Sequence, residues 1–140
     1  MDLVKGEARK VKLHEVSILL SFCKFAKIIP CSALTREGLV KIFDVIDSVM
    51  ESMRRRIPTP QLHKWLEHAL IGCPLGVVAK TKHITQADEI PPTFVLFMKN
   101  PRLAMPAHLR YMENRMRQTF GFDGTPIRWI PKSAERDKRA

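Results

Sequence analysis

The sequence predicts an α/β chain in two parts. Residues 57–131 form an α-β-β-α-β domain with helices on one face of a three-stranded sheet, and residues 1–56 form a partial α/β segment before it. Three observations carry this prediction. Residues 93–98, Thr-Phe-Val-Leu-Phe-Met, are β-branched, aromatic and aliphatic, and prolines stand at Pro91, Pro92 and Pro101 on either side, which is the length and punctuation of a strand. Leu39, Ile42, Phe43, Ile46, Val49, Met50 and Met53 recur at helical spacing as one apolar stripe. Between the two, Ile57-Pro58-Thr59-Pro60 interrupts all periodicity and marks a domain boundary.

In chain order, residues 6–25 read as a helix, with Val11, His14, Ile18 and Phe22 near helical spacing. Residues 26–31 are short and β-branched and read as a strand, and residues 32–38 as a loop. The striped helix follows and ends in Arg54-Arg55-Arg56, cations that suit the negative end of a helix dipole and also have the charge to touch RNA. Thr59 is placed to cap the next helix with Pro60 in its first turn, and Leu62, Trp65, Leu66, Ala69 and Leu70 line its apolar side until Gly72 and Pro74. Residues 77–86 read as a strand carrying Lys80 and Lys82. The strand over 93–98 is apolar on both faces and so belongs in the centre of the sheet, covered on both sides. Residues 106–119 read as a helix with Leu109, Met112 and Met116 inward and Gly121 as its stop. Residues 125–130 are the last strand, and 132–140 a charged flexible tail.

Composition narrows the partners. A net charge of +10 favours an anionic one, and no apolar run approaches the roughly 20 residues of a membrane span, so nucleic acid is preferred over membrane. Cys23, Cys31 and Cys73 are odd in number and scattered, which suits a reducing cytosol better than a disulfide framework. Cys73 and His68 lack the further ligands of a tetrahedral site, so no metal is expected. The first 56 residues, with one strand and two helices, cannot bury their own apolar faces. Their strand–loop–helix order is that of the closing segment of a doubly wound domain, in which ligands bind at loops beyond the strand ends.

The loop carries a resemblance. Pro30-Cys31-Ser32-Ala33-Leu34-Thr35, with Gly38 and an amphipathic helix behind it, resembles the fifth guanine-nucleotide motif of translational and ribosome-assembly GTPases. Asp2-Leu3-Val4, thirty residues upstream of Ser32, resembles the end of the fourth motif, Asn-Lys-x-Asp. From Ile57 to Arg128 the chain resembles the C-terminal KH-like domain of the Der (EngA) double GTPases. The matching stretches are Ile57-Pro-Thr-Pro-Gln-Leu62, Thr85-Gln86, Pro91-Pro-Thr-Phe94, Leu109-Arg-Tyr-Met-Glu-Asn114 and Phe120-Gly-Phe-Asp-Gly-Thr-Pro-Ile-Arg128.

That resemblance implies two tandem G domains and a KH-like module acting in late assembly of the large ribosomal subunit, in the cytoplasm. Residues 1–56 would be the C-terminal remnant of the second GTPase domain. Asp2 would accept from the guanine edge, and Ser32 and the backbone N–H of Ala33 would lie against the base. The intact protein would use GTP or GDP with Mg. This sequence contains no G-x-x-x-x-G-K-[ST], so the chain alone is expected to hold no cofactor and to be inactive as a GTP hydrolase. Between Cys73 and His83 it also departs from the family, with Leu75-Gly-Val-Val-Ala-Lys-Thr-Lys82 in place of a Pro- and Arg-rich run.

Partners follow from charge and from the open sheet face. Arg110, Asn114, Arg115 and Arg117 on one helix, Lys80 and Lys82 on one strand, and Lys99 and Arg102 after the central strand are the RNA-binding candidates, able to track a phosphate backbone. Any one of them alone reads equally well as solvated surface. Gly121-Phe-Asp-Gly124 matches the G-x-x-G of KH domains, but it lies between a helix and a strand and carries Asp123, so it reads as a helix cap and turn. Trp65 and Trp129 read as core; Tyr111 is a further candidate for base stacking. The uncovered sheet face is expected to pack on the missing G domains, and without them to drive self-association. The alternative is a free-standing RNA- or ribosome-binding module that needs no nucleotide.

Overall fold

A computed structural model describes residues 2–71, 73, 76 and 78–134. Two compact units divide the chain. One holds Met1–Ser52 with Asp123–Thr125, and the other holds Met53–Phe122 with Pro126–Ala140.

In the first unit, α1 spans Gly6–Leu19 and α2 spans Leu39–Met53. The inner side of α1 differs from the expected one. Leu13, Val16 and Leu20 are half-buried, whereas Val11, Ile18 and Phe22 are exposed, Phe22 by 82%. The helix also ends earlier than residue 25, giving way to a 3-10 turn at Ser21–Cys23. Residues 26–31 form no strand. A strand exists only as part of a ladder, and the one sheet among the described residues is built from other segments. The stripe of α2 is helical as predicted, yet its only buried residue is Ser52, and Val40 and Phe43 remain 76% and 68% exposed.

In the second unit, α3 spans Thr59–Leu70, β1 Thr81–Glu89, β2 Pro92–Met98, α4 Pro106–Phe120 and β3 Arg128–Ser133. The sheet order is β1-β2-β3, with β1 antiparallel and β3 parallel to β2. Thus the strand over 93–98 is central. Its Phe94, Leu96 and Met98 are fully buried, in one cluster with Leu62, Trp65, Leu66 and Ala69 of α3 and Met112 and Met116 of α4. The helices cover that face alone. Opposite, Val95 lies between Thr85 and Ile130, and Phe97 between His83 and Lys132.

Several boundaries move, each for a local reason. Helix α3 starts at Thr59 itself, with Pro58 as the capping residue and no side-chain cap; the Pro58 carbonyl accepts from Gln61 and Leu62. Val78–Lys80 is a 3-10 turn, so Lys80 is off the strand that carries Lys82. The last strand begins at Arg128, not Thr125: Pro126 has no N–H to give a ladder, and register starts at Thr93 opposite Arg128. It continues through Lys132 and Ser133, which belong to the sheet and not to a tail. Pro131 sits within this strand, which is tolerated because β3 is an edge. The rest of the predicted tail, from 135 on, lies outside the described residues.

Candidate functional site

Two sets of candidate residues lie in separate units. In the first unit, Ser32 is buried, and its Oγ donates to Asp2 Oδ1 at 2.5 Å and accepts from the Thr35 backbone N–H at 3.3 Å. Two residues thirty apart in sequence are therefore in direct contact. The bond holds the Asp2 carboxyl below its ordinary value, because a hydroxyl donor favours the ionised form. The loop is closed by the Ser32 N–H donating to the Glu37 carbonyl at 2.9 Å. Gly38 makes this closure possible: at φ +76 it sits so close to the Pro30 carbonyl that a Cβ would collide with it. Arg9 of α1 meets Glu37 at 2.7 Å and ties the helix to the same loop. Ala33, the third predicted guanine contact, is exposed on the turn. What this arrangement offers chemically is a carboxylate oriented beside a backbone turn, a hydrogen-bonding edge.

In the second unit, Arg110, Asn114 and Arg115 are exposed on α4. Arg110 and Asn114 lie one turn apart, opposite the inward Met112 and Met116. The helix is pinned at its start by His108, whose Nδ1 accepts from the Met105 N–H at 3.0 Å. It is held against α3 by the Tyr111 hydroxyl, which donates to the Ala69 carbonyl at 2.8 Å. Tyr111 is therefore a tether between helices. Arg117 is likewise committed. Its guanidinium bonds Glu113 Oε1 at 3.0 and 2.8 Å and the Phe122 carbonyl at 2.6 Å, and so closes the helix end.

Lys82 is exposed on β1 beside a shift in register between Thr81 and His83, and Lys80 is exposed on the preceding turn. Lys99 and Arg102 are exposed after β2, the latter on the 3-10 turn Pro101–Leu103. Arg102 shares a groove with Lys132, a residue that the sequence suggested only as tail. Gly121 ends α4 with its N–H on the Arg117 carbonyl at 2.9 Å, as a cap should.

Two functional-looking residues escaped the sequence reading because their partners are distant. Gln86, buried on β1, accepts from the Ile57 N–H at 2.8 Å and donates to the Arg55 carbonyl at 3.0 Å, clamping the backbone where the boundary was predicted. The Arg55 guanidinium donates to the Phe120 carbonyl at the end of α4, so this arginine serves a different helix from the one it follows. Trp129 rests on Trp65 and Phe94, with ring centroids 6.5 and 5.3 Å away, as core. Among the described residues, no group of three or more His, Cys, Asp or Glu side chains is placed to hold a metal ion, and no helix is long and apolar enough to cross a membrane.

Residues 56–132 match the family described as the KH-domain-like, C-terminal domain of EngA bacterial GTPase enzymes. The chain is 36% identical over 140 residues to the GTPase Der of Desulforudis audaxviator, covering 96% of this chain and 32% of that protein. It is 36% identical over 135 residues to that of Natranaerobius thermophilus, covering 94% and 31%. With the GTPase Der of Agathobacter rectalis it shares 34% over 143 residues, covering 98% and 32%. The chain therefore spans about a third of the length of the curated relatives it matches. On these matches the chain belongs to the Der (EngA) GTPase family, of which it carries the C-terminal KH-like domain, here a mixed three-stranded sheet.

Proposed function

We propose that this chain is the RNA-facing end of a Der-type GTPase acting in the cytoplasm on biogenesis of the large ribosomal subunit. The observation that carries this reading is the open, basic side of α4 in a KH-like domain: Arg110, Asn114 and Arg115 are exposed and fixed on a well-anchored helix. Lys80, Lys82, Lys99 and Arg102 add charge on neighbouring turns and strands of the same unit. Contacts of this kind go to phosphates and give salt-dependent, sequence-poor binding.

Asp2, Ser32 and Ala33 are proposed as the guanine contacts of a G domain, with residues 1–56 as its closing part. The residues present fit a base edge: a carboxylate oriented by Ser32 accepts from donors such as those of guanine. They do not fit phosphates or Mg, since the sequence has no phosphate-cradling glycine loop. We place that chemistry in the further length that the relatives have, and no hydrolytic step is assigned to this chain. The exposed Val40, Phe43 and Ile46 of α2 support the same reading, because an amphipathic helix with its apolar side uncovered lacks its packing partner.

The test is pelleting of the chain with isolated large and small ribosomal subunits, with GTP binding assayed beside it. Retention on large subunits without GTP binding is expected. Equal retention on both subunits would remove the large-subunit assignment, and tight GTP binding would overturn the division of labour.

A further inference from the structure

Beyond α4, one feature of the KH-like domain combines three kinds of side chain in one place. The groove of about 940 Å³ at the carboxyl ends of β2 and β3 is lined by Phe97, Asn100, Arg102, Leu103, Lys132 and Ser133, with two prolines beside them. Its two charges are both positive, and no carboxylate is among these lining residues. Neither Arg102 nor Lys132 takes part in an ion pair among the described residues. Phe97 lies on the sheet face away from the helices, half-buried, with its ring against His83 at 5.5 Å. Leu103 is 55% exposed at the rim.

We propose that this groove binds single-stranded RNA, with Phe97 as a stacking surface for a base and Arg102 and Lys132 on the flanking phosphates. The proposal rests on the RNA-binding reading above and adds to it a contact distinct from α4, in which Arg102 takes a defined place. Charge alone would equally suit an acidic peptide. The combination favours RNA: an aromatic face offers stacking to any base, Asn100 supplies an amide suited to a base edge, and two cations flank them. The volume lies at the upper end for ligand sites, which suits more than one nucleotide. A peptide adding as a strand to β3 is disfavoured, because Pro131 removes a donor from that edge. The α4 face, by contrast, has charge without an exposed aromatic and suits a duplex backbone.

The experiment is fluorescence anisotropy of a short labelled oligouridylate with the full chain across a salt series. It compares Arg102→Ala/Lys132→Ala, Phe97→Leu and Arg110→Ala/Arg115→Ala, with a polyglutamate peptide as competitor. The groove double variant changes only exposed residues. It should weaken binding at least about tenfold and reduce the salt slope by about 1.4, or 0.7 per phosphate on a single strand. Phe97→Leu should weaken it about fivefold or more, the loss expected for one stacked base. Should that variant fold poorly, ultraviolet crosslinking of the wild-type complex should map to the peptide holding Phe97. Wild-type binding lost only in the Arg110/Arg115 variant, a crosslink elsewhere, or displacement by polyglutamate at low concentration would overturn the groove and leave the broader reading standing. No RNA binding by the wild-type chain at low salt would overturn both.

Discussion

Ser32 and Asp2 show how much one hydrogen bond decides. The Ser32 hydroxyl lowers the Asp2 pKa, so Ser32→Ala should let it rise back toward its ordinary 3.8, measured by carbon-detected NMR titration of the Asp2 carboxyl. For a carboxyl with a lowered folded value, the bond's contribution is present above the unfolded pKa and fades as pH falls through the folded one. The first unit should therefore lose this support only in acid. Gln86 makes a stronger demand. Gln86→Leu strips partners from the N–H of buried Ile57 and from the carbonyl of exposed Arg55, and the buried orphan costs ~1–3 kcal/mol. We expect a loss of about 2 kcal/mol or more in urea denaturation; an unchanged midpoint would mean that water replaces the amide. At this scale the sequence was least informative. Arg110 and Arg117 look alike in a string of residues, and only the Phe122 carbonyl together with Glu113 sets them apart. Glu113, four residues before Arg117, was the one signal available. Lys132 gave none, because its place in β3 depends on where a ladder begins.

Elements that carry their own punctuation were legible. Helix α3 and strand β2 formed close to where they were expected, because prolines bound them and their apolar residues are packed in the core. Residues 26–31 have the composition of a strand but join no ladder among the described residues, and pairing is not written in a segment's own residues. The α2 stripe does form one side of a helix, whereas what covers that side is decided elsewhere. A contrast in stability follows. Leu62→Ala, at a fully buried position, should cost about 2–5 kcal/mol. Phe43→Ser, at an exposed one, should stay near 0.5 kcal/mol in this chain. Comparable losses at both positions in thermal denaturation would show that α2 is buried in solution, for instance by self-association.

For the whole molecule, the net charge of +10 and the KH-like fold both support the proposed RNA partner, and neither alone is sufficient. Family and fold could be read from a few fixed stretches, Pro-Pro-Thr-Phe94 and Gly-Thr-Pro-Ile-Arg128 above all. The proposed division between a guanine-contacting loop and an RNA-facing domain is legible only in outline, since side-chain commitments such as those of Arg117 and Tyr111 emerge on folding. The most direct measurement is the affinity of the full chain for large ribosomal subunits at increasing salt, from about 50 to 200 mM. Binding that is strong at the low end and falls steeply, by about a hundredfold or more, is what a phosphate-tracking domain predicts. No binding at low salt, or binding indifferent to salt, would contradict it and leave the charge as surface.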